Sequence, residues 1–120
     1  MTVHLRRAYD PPEEGGGPRV LVDRLWPRGI RKEDAAIDDW PKAVTPSDEL
    51  RRWFHGPDGQ WEEFVRRYEA ELAEPEAAAE LARLRALSAR GPLTLVTAVK
   101  DPTRSHASVL ASHLAPGDAC

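Results

Sequence analysis

Two nearly uninterrupted apolar stretches, Val20-Leu21-Val22 and Leu93-Thr94-Leu95-Val96-Thr97-Ala98-Val99, bracket a long segment whose apolar spacing is helical. A run without polar alternation suits a strand covered on both faces, as the strands of a parallel sheet are. Parallel neighbours require a crossover of about a dozen residues or more, and the intervening segment is long enough to supply one. Arg19–Leu25 and Leu93–Val99 are therefore expected as adjacent parallel strands at a sheet centre, each flanked by helices.

The helical segment divides at its punctuation. Thr45-Pro46-Ser47-Asp48 opens one helix, with Thr45 or Ser47 as cap and Pro46 in a first helical position, and Leu50, Trp53 and Phe54 share a face. Gly56-Pro57-Asp58-Gly59 ends it, and Asp58 is a candidate cap for the next helix. There Trp61, Phe64, Val65, Tyr68 and Leu72 recur at the spacing of one buried helical stripe. After Pro75, Ala77, Ala78, Leu81, Leu84 and Leu87 mark a third helix, stopped by Arg90-Gly91-Pro92. Asp101-Pro102 reads as cap and first position of a last helix carrying Ala107, Leu110 and Leu114, which ends at Ala115-Pro116-Gly117. A weakly alternating strand, Val3–Ala8, precedes all of this, joined to the second by a loop rich in glycine and proline. The order β-β-α-α-α-β-α predicts an α/β domain: a small, at least partly parallel central sheet flanked by helices.

With 120 residues, 41% hydrophobic and 31% charged, the chain has the balance of one globular domain spanning residues 1–120. No apolar run is long enough to span a bilayer, and the polar start Met1–Arg7 has no secretory core, so a cytoplasmic protein without membrane partners is expected. Cys120 stands alone at the end and forms neither an internal disulfide nor a cysteine-based metal site. A net charge of −3 argues against a duplex DNA binder. The charge is uneven, however: residues 1–32 carry an excess of cations and residues 33–90 an excess of carboxylates, so an anion site in the first third is compatible with the composition. Trp40, Trp53 and Trp61 lie among other apolar residues and read as core rather than as a base-stacking platform.

Two stretches combine residues able to do chemistry. In the first, a buried strand runs into Asp23, Arg24, Trp26 and Arg28 within a few positions. Ligand crevices of open α/β sheets lie beyond the carboxyl ends of the strands. Arg24 and Arg28 suit bidentate capture of a phosphate or carboxylate, and Trp26 supplies a flat wall. The plainer alternative is an Asp23–Arg24 or Asp23–Arg6 ion pair that only pins the sheet. In the second, Lys100, Asp101, Arg104 and His106 surround a strand-to-helix junction whose first amides attract anions; here the plainer alternative is a helix cap at Asp101 and an unremarkable histidine. Asp23 and His106 are the candidate acid–base groups, and Arg24, Trp26, Arg28, Lys100 and Arg104 the candidate binding residues. No phosphate loop, dinucleotide fingerprint, nucleophile elbow or Cys/His metal spacing occurs, so no cofactor or metal is expected. A small-anion site, enzymatic or not, competes with a noncatalytic module for an acidic protein or single-stranded RNA. The sequence sets no oligomeric state.

The segment Arg19–Gly29 resembles the signature of the YeaO-like family of uncharacterised bacterial proteins. Trp40, Pro46-Ser47, Leu50-Arg51, Trp53-Phe54, Trp61, Phe64 and Tyr68 are similar to that family's middle, and Leu93–Leu114 to its closing strand and helix. The resemblance implies a compact bacterial cytosolic protein and brings no activity with it. A longer branch of the family carries a cysteine at the end of its last strand and another before a histidine. Thr97 and Ser105, followed by His106, stand at those positions here, so no redox, sulfur-transfer or metal role is carried over.

Overall fold

A computed structural model describes residues 3–11 and 15–114. Its three strands, β1 (Val3–Arg7), β2 (Arg19–Leu21) and β3 (Leu93–Thr97), form one parallel sheet in the order β1-β3-β2. Val3 pairs with Leu93 and Arg19 with Thr94, so the expected parallel pairing of the two apolar strands holds. All five residues of β3 are buried, as a central strand requires. In contrast to the expectation, β2 lies beside the centre rather than at it, and it is shorter. Among the described residues its outer side meets the chain at a bridge, Val20 to Asp39, where the Leu21 amide donates to the Asp39 carbonyl and the Arg19 carbonyl accepts from the Asp38 and Asp39 amides. Val22 still donates to the Val96 carbonyl, but Asp23 and Arg24 turn away to partners described below and Leu25 emerges into solvent.

Alternation along the strands separates two cores. Val20, Leu93 and Leu95 face the larger one, with α2 (Asp48–His55), α3 (Trp61–Leu72), α4 (Pro75–Arg90) and α5 (His106–Leu114) packed over them. Leu21 and Val96 face the smaller one, covered by Trp26, Ile30, Ile37 and Trp40. That second cover is an irregular segment holding only a one-turn helix, α1 (Lys32–Ala35), so the long helices lie on one face and not on both. No helix of the described residues is long and apolar enough to cross a membrane.

Local chemistry accounts for the helix boundaries. Ser47 caps α2, its hydroxyl accepting from the Leu50 amide, while Glu71 on α3 accepts from both the Ser47 amide and hydroxyl at 2.8 and 2.5 Å. This leaves Pro46 outside the helix rather than in its first position, because Ser47 occupies the cap. Gln60, not Asp58, precedes α3, and Pro75 starts α4 at a position where its missing N–H costs nothing. Phe64, Tyr68 and Leu72 are buried, whereas Trp61 and Val65 are only half covered. Gly17 has φ +70, and a Cβ there would lie 1.9 Å from the Pro92 carbonyl oxygen, so the glycine lets this loop close against the entrance to β3. The expected end of α5 at Ala115-Pro116-Gly117, and Cys120, lie outside the described residues.

Candidate functional site

Because all three strands run the same way, their carboxyl ends share one edge of the sheet. Beyond that edge opens a cleft of about 640 Å³, within the roughly 300–1,000 Å³ range of small-molecule sites. Tyr9 after β1, Asp23–Arg28 after β2, and Ala98, Val99, Asp101 and Arg104–His106 after β3 line it. The helices add Arg51, Arg52, Phe54 and His55 from α2 and Phe64 from α3. Asp23, Arg24, Trp26, Arg28, Arg104 and His106 thus come together from two chain segments far apart in sequence.

Lys100 does not join them. It is exposed and outside the lining, because the chain bends immediately after β3: the Ala98 amide donates to Asp23 and the Val99 amide to Thr97 Oγ1. Asp101 is occupied as a cap, accepting from the Thr103 amide and hydroxyl, but the turn it caps is a short 3-10 turn, Pro102–Arg104. The α-helix proper begins only at His106, with the Ser105 hydroxyl accepting from the Ala107 amide.

Asp23 and His106 form the floor. Asp23 pairs with neither Arg24 nor Arg6. Its carboxylate instead accepts from the Thr97 hydroxyl at 2.6 Å and the Ala98 amide at 2.7 Å, and meets His106 Nε2 at 2.9 Å. The same nitrogen lies 3.0 Å from the Val22 carbonyl. Both partners are acceptors, so Nε2 carries the proton and donates. The Tyr68 ring meets the imidazole edge-on at 6.4 Å. Burial pushes the Asp23 carboxyl up, but the bond and charge of His106, with the bonds from Thr97 and Ala98, outweigh it and hold Asp23 below the usual carboxylate range. Tyr68, whose hydroxyl donates to the Val44 carbonyl, is pushed well above the usual phenol range by burial and by the charges of Glu71 and Asp23.

The arginines differ in their commitments. Arg24 donates from Nε to the Pro46 carbonyl at 3.2 Å and from its terminal nitrogen to the Thr45 carbonyl at 3.3 Å, tying the exit of β2 to the entrance of α2. Neutral acceptors leave its charge uncompensated. Arg51 pairs with Asp48 at 3.3 Å. Arg104 lies over the Trp61 ring at 5.7 Å, and neither it, Arg28 nor Arg52 makes an ion pair among the described residues. Trp26 spends its indole N–H on the Ile30 carbonyl at 2.7 Å and packs edge-on against Trp40, whose own N–H donates to the Asp23 carbonyl. The Tyr9 hydroxyl donates to the Arg28 carbonyl, so the end of β1 holds the loop that carries Arg28.

Tyr9, Arg51, Arg52 and Phe54 were not legible as site residues. The first stands at the end of a short strand beside a turn and reads as part of that boundary, and the others read only as part of an amphipathic helix. The adjacent cations Arg51-Arg52 beside Phe54 were the available signal, since an arginine pair next to an apolar stripe borders whatever that stripe covers. Among the described residues no group of three or more His, Cys, Asp or Glu side chains could hold a metal ion.

Known proteins place this architecture in a family without an assigned activity. Residues 2–117 match the family described as the inactive DUF488-N3 subclade. The chain is 48% identical to the uncharacterised protein YeaO of Escherichia coli over 114 residues, which is 95% of this chain and 97% of that one. It is 46% identical over 112 residues to uncharacterised proteins of Mycobacterium tuberculosis and Mycobacterium bovis, covering 93% of this chain and 92% of theirs. No solved structure matches. With nearly its whole length matched both to the family and to YeaO, this chain belongs to the inactive DUF488-N3 subclade, the YeaO-like proteins.

Proposed function

We propose that the cleft at the carboxyl edge of the sheet is a binding site for a small anion, a phosphate or carboxylate, held by Arg28 with Arg52, Arg104 and Arg24. The observation that carries this reading is the charge balance of the lining. Of the five lining arginines, Arg51 is paired with Asp48, and the other four, Arg24, Arg28, Arg52 and Arg104, share the lining with two carboxylates, of which Asp23 is already engaged by His106 while Asp101 caps its own turn. Gathering like charges around one concavity raises their mutual repulsion, and an anion in the cleft relieves it. Guanidinium groups that have donors to spare and no carboxylate are suited to bidentate capture of an oxyanion.

The reading is one of binding rather than catalysis. An acid–base group works best with a pKa near the operating pH, and Asp23 is displaced in the opposite direction, with both oxygens occupied. In this reading Asp23 and His106 fix the cleft floor, which agrees with the description of the subclade as inactive.

The test is titration of the protein with inorganic phosphate at low ionic strength, followed by calorimetry. Saturable binding that weakens with added salt is expected, because exposed cations are screened within about 10 Å at 0.1 M salt. Arg28→Ala should weaken it at least fivefold while the thermal midpoint stays nearly constant, since Arg28 is exposed and its side chain holds no part of the fold. No phosphate binding together with tight binding of a single-stranded oligoribonucleotide would replace this reading with a noncatalytic RNA-binding module. A fall in stability without a change in binding would make Arg28 a scaffold residue.

A further inference from the structure

Resting on that reading, we infer that the anion is attached to a flat aromatic ring, so that the ligand class is an aryl phosphate or an aryl carboxylate. Three features of the cleft carry the inference. First, an inorganic oxyanion fills only a small part of about 640 Å³, so the cleft has room for the rest of a larger molecule. Second, aromatic side chains line that space. Phe54 lies in the lining partly exposed and is stacked on Phe64 at 4.4 Å with an interplanar angle of 28°. Phe64 stacks in turn on Trp61 at 5.7 Å and 21°, and Phe54 also meets Trp61 at 6.1 Å and 49°, so the three rings form one aromatic cluster with the Phe54–Phe64 stack at the cleft. A planar ring laid on Phe54 extends that stack, whereas a sugar or a branched aliphatic group meets it without matching planes. Third, Trp26 has spent its one polar group on Ile30 and offers the cleft only its aromatic surface. Leu25, 65% exposed in the same lining, adds an apolar edge that no part of the fold requires to be there.

Cations and rings in one cleft divide the recognition. Arg28 and its neighbours take the anion, and Phe54 takes the ring. Calorimetric titration of the full chain with inorganic phosphate, phenyl phosphate and cyclohexyl phosphate separates the two parts. Phenyl phosphate is expected to bind about tenfold more tightly than inorganic phosphate, and cyclohexyl phosphate to fall between them. Phe54→Leu keeps apolar bulk against Phe64 but removes the ring; it should erase the phenyl preference and leave the affinity for inorganic phosphate within about twofold. Equal affinities for phenyl and inorganic phosphate overturn the aromatic inference while the anion site survives. Equal affinities for phenyl and cyclohexyl phosphate overturn the planar-ring requirement in favour of a general apolar wall. Failure of all three to bind overturns the anion site itself.

Discussion

Asp23 ties the exits of β2 and β3 to the start of α5, and removing its carboxylate is the sharpest perturbation of the site's framework. Asp23→Ala leaves the Thr97 hydroxyl, the Ala98 amide and the His106 Nε2–H without their acceptor, although His106 keeps the Val22 carbonyl. A hydrogen bond to a charged group contributes about 1.5–3 kcal/mol net. The full sum over three bonds is an upper bound. The Asp23 side chain is 15% exposed, so water reaches part of the vacated space, and the Thr97 hydroxyl is free to rotate. A loss of about 3 kcal/mol is expected, read as a lower urea midpoint with unchanged slope. For a chain of this size that lowers the thermal midpoint by roughly 10 °C. Asp23→Asn should cost less, because an amide oxygen still serves the Ala98 N–H. In a double-mutant cycle, Asp23→Ala and His106→Ala should show a coupling of about 1–2 kcal/mol. The pH dependence has a definite sign. Because the folded carboxyl lies below its ordinary value, its stabilisation is complete above the unfolded pKa of about 3.9 and is lost as pH falls through the depressed folded value. The stability gap between wild type and Asp23→Asn should therefore be constant near neutrality and close only in strong acid. A loss below about 1 kcal/mol, or a coupling near zero, would refute the role of Asp23 as the joint of the site.

Two further perturbations test the packing. Trp61→Ala should cost about 2 kcal/mol in urea unfolding, less than the roughly 3–5 kcal/mol of a fully buried tryptophan, since Trp61 is only half covered by Phe54 and Phe64; an unchanged midpoint would show that the packing of Trp61 on these rings contributes nothing to the fold. Gly17→Ala should destabilise by more than about 2 kcal/mol, whereas Gly15→Ala, with φ +81 but open space around its Cβ, should cost only about 1 kcal/mol. Equal midpoints for the two glycine variants would contradict the close approach of Gly17 to Pro92.

What the sequence revealed follows the range over which each signal acts. β3 was legible from one continuous run, and α3 from a stripe repeating along its own length. The convergence of Arg24, Arg28 and Arg104 was also accessible, because parallel pairing of two strands places their exits on one edge. The partner of Asp23 was not. Arg24 is its neighbour in sequence and the obvious ion pair, yet the turn after Val22 sends Arg24 to the Thr45 and Pro46 carbonyls and Asp23 to Thr97 and His106. Such a choice depends on side-chain directions at a bend, which periodicity does not encode. The same limit applies to Lys100, whose cationic character suggested a ligand contact that the bend after β3 denies it. Phe54 illustrates a different ambiguity: a core stripe and a cleft wall have the same spacing along a helix.

The placement of β3 between β1 and β2 also governs how the chain is made. The middle strand is the last of the three to leave the ribosome, and neither outer strand has its partner strand until it arrives. While residues 1–92 emerge, α2, α3 and α4 are free to form from local contacts and Arg19–Leu21 can meet Asp39, but both Val3–Arg7 and Arg19–Leu21 still lack the strand between them. Closing the sheet must then bridge most of the chain in one late, entropically slow step. The interval before that step is the period in which this protein is most open to chaperone capture or to edge pairing with another nascent copy. The cleft, built from the exits of all three strands, has no existence before β3 docks.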